Sequence, residues 1–177
     1  MGEIYYMKNK KIILLNGASS SGKSTLAKVL QSCIKDVKHE EFAIVSIDDF
    51  LKMTTNEAIY EDDVFEISLK LIDKTIEILN TNQGVIIDHV ITSERIFNQI
   101  IEVLNSYKIY LIHITCPLEE IIKRESQRKN RCIGSAEASF HYLFPKDNYD
   151  LTLDALKLTL EECSSSIVDM VYSTVEN

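Results

Sequence analysis

The sequence predicts an α/β fold, a parallel sheet with helices on both faces, and three observations lead to it. Short apolar runs alternate with longer segments of helical period, the pattern of strands joined by crossover helices. The runs at 11–15, 43–47, 85–87 and 109–115 are mostly apolar, and the last leaves no room for a polar face. Strands of that kind are buried on both sides, as parallel strands are. A glycine-containing loop joins the first run directly to a helical segment.

After the run at 11–15, Leu26, Val29, Leu30, Cys33 and Ile34 recur at helical spacing and predict the first helix. Beyond the second run, Val64, Ile67, Leu71, Ile72, Ile78 and Leu79 predict another. The third run is followed by Ile96, Phe97, Ile100, Ile101 and Leu104 on one helical face. Each stripe reads as a core face. Pro117 suits the first turn of a helix through Leu118, Ile121 and Ile122, because its missing N–H is an orphan there anyway. Thr159 and Glu162 form a capping-box pattern ahead of Ile167, Val168 and Val171. The stretch 129–149, polar and aromatic by turns, has no clear period and reads as a lid or loop over a site.

The chain has 177 residues, the length of one domain spanning 1–177, and such a length buries roughly 70% of the unfolded surface. A formal charge of −8 argues against non-specific binding to nucleic acid or an anionic membrane, since both need clustered cations. Cys33, Cys116, Cys132 and Cys163 form no C-x-x-C pair, so they read as reduced thiols and suggest neither a zinc site nor a redox dithiol. The apolar run near the N-terminus is too short for a signal-peptide core or a membrane span. A cytoplasmic protein is the expectation, and oligomeric state is left open.

The strongest local signal is Gly17-Ala18-Ser19-Ser20-Ser21-Gly22-Lys23-Ser24-Thr25, which satisfies G-x-x-x-x-G-K-[ST]. An apolar run leads in and an amphipathic segment leads out, so backbone N–H groups converge on phosphate oxygens at a helix N-terminus. In this P-loop, Lys23 is expected at the β- and γ-phosphates, Ser24 on Mg²⁺ and Thr25 at the α-phosphate. A Ser/Gly-rich turn with a chance lysine is the bland alternative, and the flanking elements argue against it. The loop alone does not say whether phosphate is transferred, hydrolysed or only bound.

In open parallel sheets ligands sit beyond the C-terminal strand ends, so polar residues there are the candidates. Asp48 and Asp49 follow the second run, and Asp88 with His89 follows the third. Asp48 is the candidate base for an acceptor hydroxyl, against the alternative of a helix cap. Asp49 reads as the solvent-facing member of the pair. Asp88 is the candidate metal or substrate contact, and His89 reads as structural. Arg124, Arg128 and Arg131 fall at i, i+4 and i+7 in an otherwise acidic chain. On a continuous helix they would stack on one face, a repulsion that a facing triphosphate would relieve. Pairing with Glu119, Glu120 and Glu125 is the alternative.

With these residues in place, the chain resembles the chloramphenicol phosphotransferase-like family of P-loop kinases. The resemblance rests on 12–25, on Ser46-Ile47-Asp48-Asp49-Phe50, on Cys116-Pro117-Leu118-Glu119-Glu120, on the arginine cluster, and on 149–154 followed by Glu161-Glu162-Cys163. It implies a three-layer P-loop NTPase fold around a five-stranded parallel sheet, ATP as donor, and Asp48 as the base that activates a small-molecule hydroxyl acceptor. It also implies a final strand at 150–154 and a lid within 124–148. Lys129-Asn130 stands where the family often carries Gly-Asp, and 50–65 matches it least. Chloramphenicol is therefore one candidate acceptor among several. A nucleoside or nucleotide kinase and a non-catalytic nucleotide switch stay open, though no N-K-x-D guanine-reading motif is present.

Overall fold

A computed structural model describes residues 10–51, 61–81, 84–128 and 133–173. Five strands form one sheet: β1 (Lys11–Asn16), β2 (Phe42–Ser46), β3 (Gly84–His89), β4 (Lys108–Thr115) and β5 (Leu151–Asp154). Their order is β2-β3-β1-β4-β5, and all pairings are parallel. After β1 the chain visits β2 and β3 on one side, then crosses to β4 and β5 on the other. That reversal opens a crevice beyond the C-terminal end of β1, where such sheets bind ligands.

The apolar runs serve two cores because successive strand residues point to opposite faces. Ile12 and Leu14 pack with α3 (Glu61–Leu79) and α4 (Glu94–Val103), through Leu71, Ile72, Ile96 and Ile100. Ile13 and Leu15 pack with α1 (Lys23–Lys38) and α7 (Leu160–Tyr172), through Leu26, Leu30, Ile34, Ile167 and Val168. Three layers result, with β1 buried on both faces.

Local signals set the helix ends. At α7 the Thr159 hydroxyl accepts from Glu162 N at 3.2 Å, while Thr159 N donates to the Glu162 carboxylate at 2.8 Å. His39, in the left-handed region, ends α1 by donating to Lys35 O at 3.1 Å. Two expected boundaries shift. Ile47 leaves the predicted strand and opens a short helix, α2 (Ile47–Leu51), burying its side chain where the strand stops. Pro117, extended at ψ 144°, stands just before α5 (Leu118–Ser126) rather than within it. Within the stretch left without an element lies α6 (Ser135–Tyr142). Among the described residues no helix is long and apolar enough to cross a membrane.

Gly84 opens β3 in contact with its neighbours on both sides. A Cβ there would stand 2.3 Å from the Phe42 ring and 2.8 Å from the Lys11 carbonyl oxygen. Backbone cannot yield as a side-chain end can, so Gly84→Ala should cost about 1–3 kcal/mol. A lowered urea midpoint at unchanged m-value is the expected result.

Candidate active site

The loop that follows β1 is shaped by contacts that exclude side chains. A Cβ on Gly17 would lie 2.4 Å from the Ile114 carbonyl oxygen of β4. Gly22 takes φ 104° and opens α1 without a side-chain cap or an acidic residue in the first turn. The helix therefore presents its N-terminal amides and the positive end of its dipole to whatever the loop holds. Ser20 also has positive φ, 65°. Lys23 is 5% exposed, and its ammonium donates to Ala18 O at 2.9 Å.

Strand order decides where the acids fall. Because β3 lies between β2 and β1, Asp88 is paired in register with Leu15 on one side and Ser46 on the other. Its carboxylate accepts from the Ser24 hydroxyl at 2.5 Å and from the Ser46 hydroxyl at 3.5 Å. Asp88 is buried and Ser24 is exposed. A hydroxyl and a carboxylate meeting beside the loop are hard oxygen donors that fit Mg²⁺. Among the described residues no group of three or more His, Cys, Asp or Glu side chains that could hold a metal ion occurs.

Asp48 lies in the first turn of α2, half-buried, and lines the same cavity as Ser19, Ser20, Lys23, Ser24, Thr25, Asp88 and Arg128. Asp49 is exposed. Arg124 donates to Glu120 at 2.9 Å and to Ser21 O at 3.5 Å. The condition for stacking the arginines on one face, an unbroken helix, is not met, because α5 ends at Ser126 and Arg128 lies beyond it. Arg131 lies outside the described residues. Glu125, only one alternative partner for the arginines on a solvated face, is buried and turned inward. It accepts from Gly134 N (2.8 Å), Ser135 Oγ (2.6 Å) and Ala136 N (2.7 Å) at the start of α6. A carboxylate satisfying first-turn amides explains why that helix forms without a hydrophobic stripe.

Two of the larger cavities bear on donor and acceptor binding. One, about 320 Å³, lies on the Thr25 side, between Gly22, Leu26 and Arg124 and, past β5, Ala155, Leu158 and Leu160. The other, about 410 Å³, lies between Glu61 and Val64 of α3, Thr92, Ser93 and Ile96, and Ser135, Ala138, Ser139 and Tyr142 of α6. It reaches the loop through Ser139, whose hydroxyl accepts from Ser19 N at 2.9 Å. Both volumes suit small ligands. Ser139 and Asn16 were not among the candidates the sequence marked, and Glu125 was marked only as an alternative partner for the arginines. Asn16 had a visible signal, a polar residue ending an apolar run.

A family model described as chloramphenicol phosphotransferase-like protein matches residues 10–172. The chain belongs to that family. No curated protein sequence is a significant match. Among solved structures, the Mycobacterium tuberculosis APS kinase CysC, in complex with AMPPNP and APS, superposes with a TM-score of 0.72 at 16% identity, covering 94% of this chain and 99% of that one. A gluconokinase from Sinorhizobium meliloti 1021 gives 0.67 at 13% identity, covering 93% of each chain. A sugar kinase from Janibacter sp. HTCC2649 gives 0.64 at 19%, covering 91% and 95%. At these identities the likeness is one of fold, and the fold is that of P-loop kinases.

His89 ends β3 with no exposed surface, its Nε2 3.3 Å from the Ser68 hydroxyl. Burial, helped by the charge of Lys23, pushes its pKa down to about 4 against opposing effects of Val90 and Asp48. The unfolded chain takes up this proton near pH 6.5 and the folded chain does not. Stability from the neutral ring is therefore full above about pH 6.5 and lost as pH falls toward 4, by on the order of 3 kcal/mol. Denaturation midpoints across that window should fall less steeply in His89→Asn than in the parent. Parallel slopes would refute the assignment.

Proposed function

We propose that the protein transfers the γ-phosphoryl group of ATP to a hydroxyl group of a small molecule. The observation that carries this reading is the convergence of Lys23, Ser24, Asp88, Asp48 and Arg128 on one cavity beside the loop. The cavity beside Thr25 shares Gly22 and Thr25 with it, and the cavity beneath α6 meets the loop where Ser139 accepts from Ser19 N. The base of ATP fits the one beside Thr25, where Arg124 and the apolar residues after β5 offer a flat, partly charged slot. The acceptor fits the one beside Ser19, closed by α6.

On this reading Gly17, Ala18, Ser19, Ser20, Ser21, Gly22 and Thr25 contribute main-chain or hydroxyl contacts to the polyphosphate. Lys23 exchanges its bond to Ala18 O for the β- and γ-phosphate oxygens. Ser24 and Asp88 are the residues that would hold Mg²⁺, which when bound supplies charge neutralisation between those phosphates. Asp48 accepts the proton as the acceptor oxygen bonds to the γ-phosphorus. The bond to the β-bridging oxygen breaks, and ADP carries that oxygen away. Arg128 stabilises the equatorial phosphoryl oxygens, with Arg131 assigned the same task by the family pattern. A lid lies within 124–148, and Glu125 holds the start of its helix α6. An ATP donor and free thiols at Cys33, Cys116 and Cys163 suit a cytoplasmic enzyme.

Asp48→Asn should keep nucleotide binding and lower transfer by roughly 10²–10⁴. Lys23→Ala should lose nucleotide affinity as well. ADP formation would be followed against chloramphenicol, other diols, polyols, nucleosides and nucleoside monophosphates. Near-normal turnover by Asp48→Asn would remove it from the mechanism, and brisk ATP hydrolysis without any acceptor would favour a nucleotide switch.

A further inference from the structure

A third cavity, about 370 Å³, lies on the far side of β4 from the proposed base slot, and the kinase reading places neither nucleotide nor acceptor in it, although Ala18 and residues of the proposed lid form part of its lining. It shares Ile114 alone with that slot and no residue with the cavity holding Lys23 and Asp48. Its volume falls in the range of small-molecule sites. One wall is the C-terminal end of β4, the other is the segment leading out of α6, and Ala18 of the P-loop also lines it. Apolar surface predominates. Phe140 contributes a ring left 40% exposed, beside the buried Leu143 and Pro145.

The charged groups of the lining differ in what they already hold. Asp154 is committed: its carboxylate accepts from Leu156 N at 3.0 Å and pairs with Lys157 at 3.0 Å. Lys146 donates to the carbonyl oxygen of His141 at 2.6 Å and meets no carboxylate among the described residues. His113, stacked on Tyr149 at 4.4 Å, is kept toward its neutral form by burial and then by Lys23, so it adds no second cation. The lining thus combines an apolar interior with one ammonium whose charge is unmatched.

We propose that this cavity is a second small-molecule site, distinct from the donor and acceptor pockets, that takes a flat aromatic molecule bearing a single carboxylate. The ring lies against Phe140, Leu143 and Pro145, and the carboxylate pairs with Lys146. An occupant touches the phosphate loop at Ala18 and also the segment that Asn16 fastens to β1 through Phe144 and Tyr149. Occupancy is therefore placed to act on nucleotide affinity, and any such coupling must run equally in both directions.

The test is an NMR titration of methyl-labelled protein with 1-naphthoate, with and without saturating AMPPNP and Mg²⁺. Intermolecular NOEs to the methyl groups of Leu143 and Thr115 are expected in both conditions. Lys146→Glu should weaken binding by roughly tenfold or more, while Lys146→Arg should restore it. No binding at low-millimolar probe would overturn the proposal. So would NOEs to Leu158 or Leu160 in place of Leu143, competition by AMPPNP, or equal affinity in the folded Lys146→Glu variant. If Lys146→Glu does not fold, the NOE pattern in the parent protein decides. None of these readouts requires the protein to be a kinase.

Discussion

The end of β1 is held in place by one carboxamide. Asn16 is fully buried, and its Nδ2 donates to Phe144 O at 2.9 Å and to the Tyr149 hydroxyl at 2.8 Å, while its Oδ1 accepts from Ile91 N at 3.0 Å. Reversing the amide would set its oxygen against the Phe144 carbonyl, so the orientation follows from the partners. Tyr149 passes the interaction on by donating to Pro145 O at 2.8 Å, and burial pushes its hydroxyl up to about 12, which keeps the proton in place. Phe144 N in turn donates to Ile91 O at 2.8 Å. The connections that follow β3 and precede β5 are thereby tied to the residue immediately before Gly17. An unsatisfied buried amide costs about 1–3 kcal/mol, which makes this arrangement all or nothing.

With that point fixed, the two halves of the sheet contribute different chemistry. The β2 and β3 side brings acids, Asp48 and Asp88, to the loop. The β4 and β5 side brings Arg124, Arg128 and the apolar slot past Asp154. The chain is acidic by eight charges, yet its site gathers Lys23, Arg124 and Arg128 around the helix N-terminus. Those three cations are matched nearby by Asp48, Asp88 and the Glu120 that Arg124 pairs with, so the pull on a phosphate there comes from directed N–H donors at the helix end more than from an excess of cationic charge.

Much of this was legible in the residues. The loop pattern, the apolar strands and the Thr159–Glu162 capping box rest on local physics, and local physics is what a sequence displays. Asp88 could be named but not placed. Its bond to Ser24 exists only because β3, not β2, pairs with β1, and strand order is a property of the whole sheet. The condition for an arginine stack failed for a related reason. Spacing at i, i+4 and i+7 assumes an unbroken helix, whereas α5 ends at Ser126, and the Glu125 carboxylate in its last turn is taken by the amides of Gly134 and Ala136, nine and eleven residues on. The helix those amides begin buries Ala136 and Ser139, residues too small and mixed to make a stripe.

The C-terminal end of β4 has a part of its own in this arrangement. Ile114 lies between the slot beside Thr25 and the cavity beneath Phe140, and its carbonyl oxygen occupies the space that a side chain on Gly17 would need. Backbone is thus in contact with backbone at the one position where the loop leaves the sheet. Packed interiors shift between discrete arrangements more readily than they compress. A side chain at Gly17 would therefore have to displace β4 backbone, not the end of a flexible side chain. Ile114 is thus the residue common to the linings of both cavities, and its carbonyl is the group for which Gly17 must leave room.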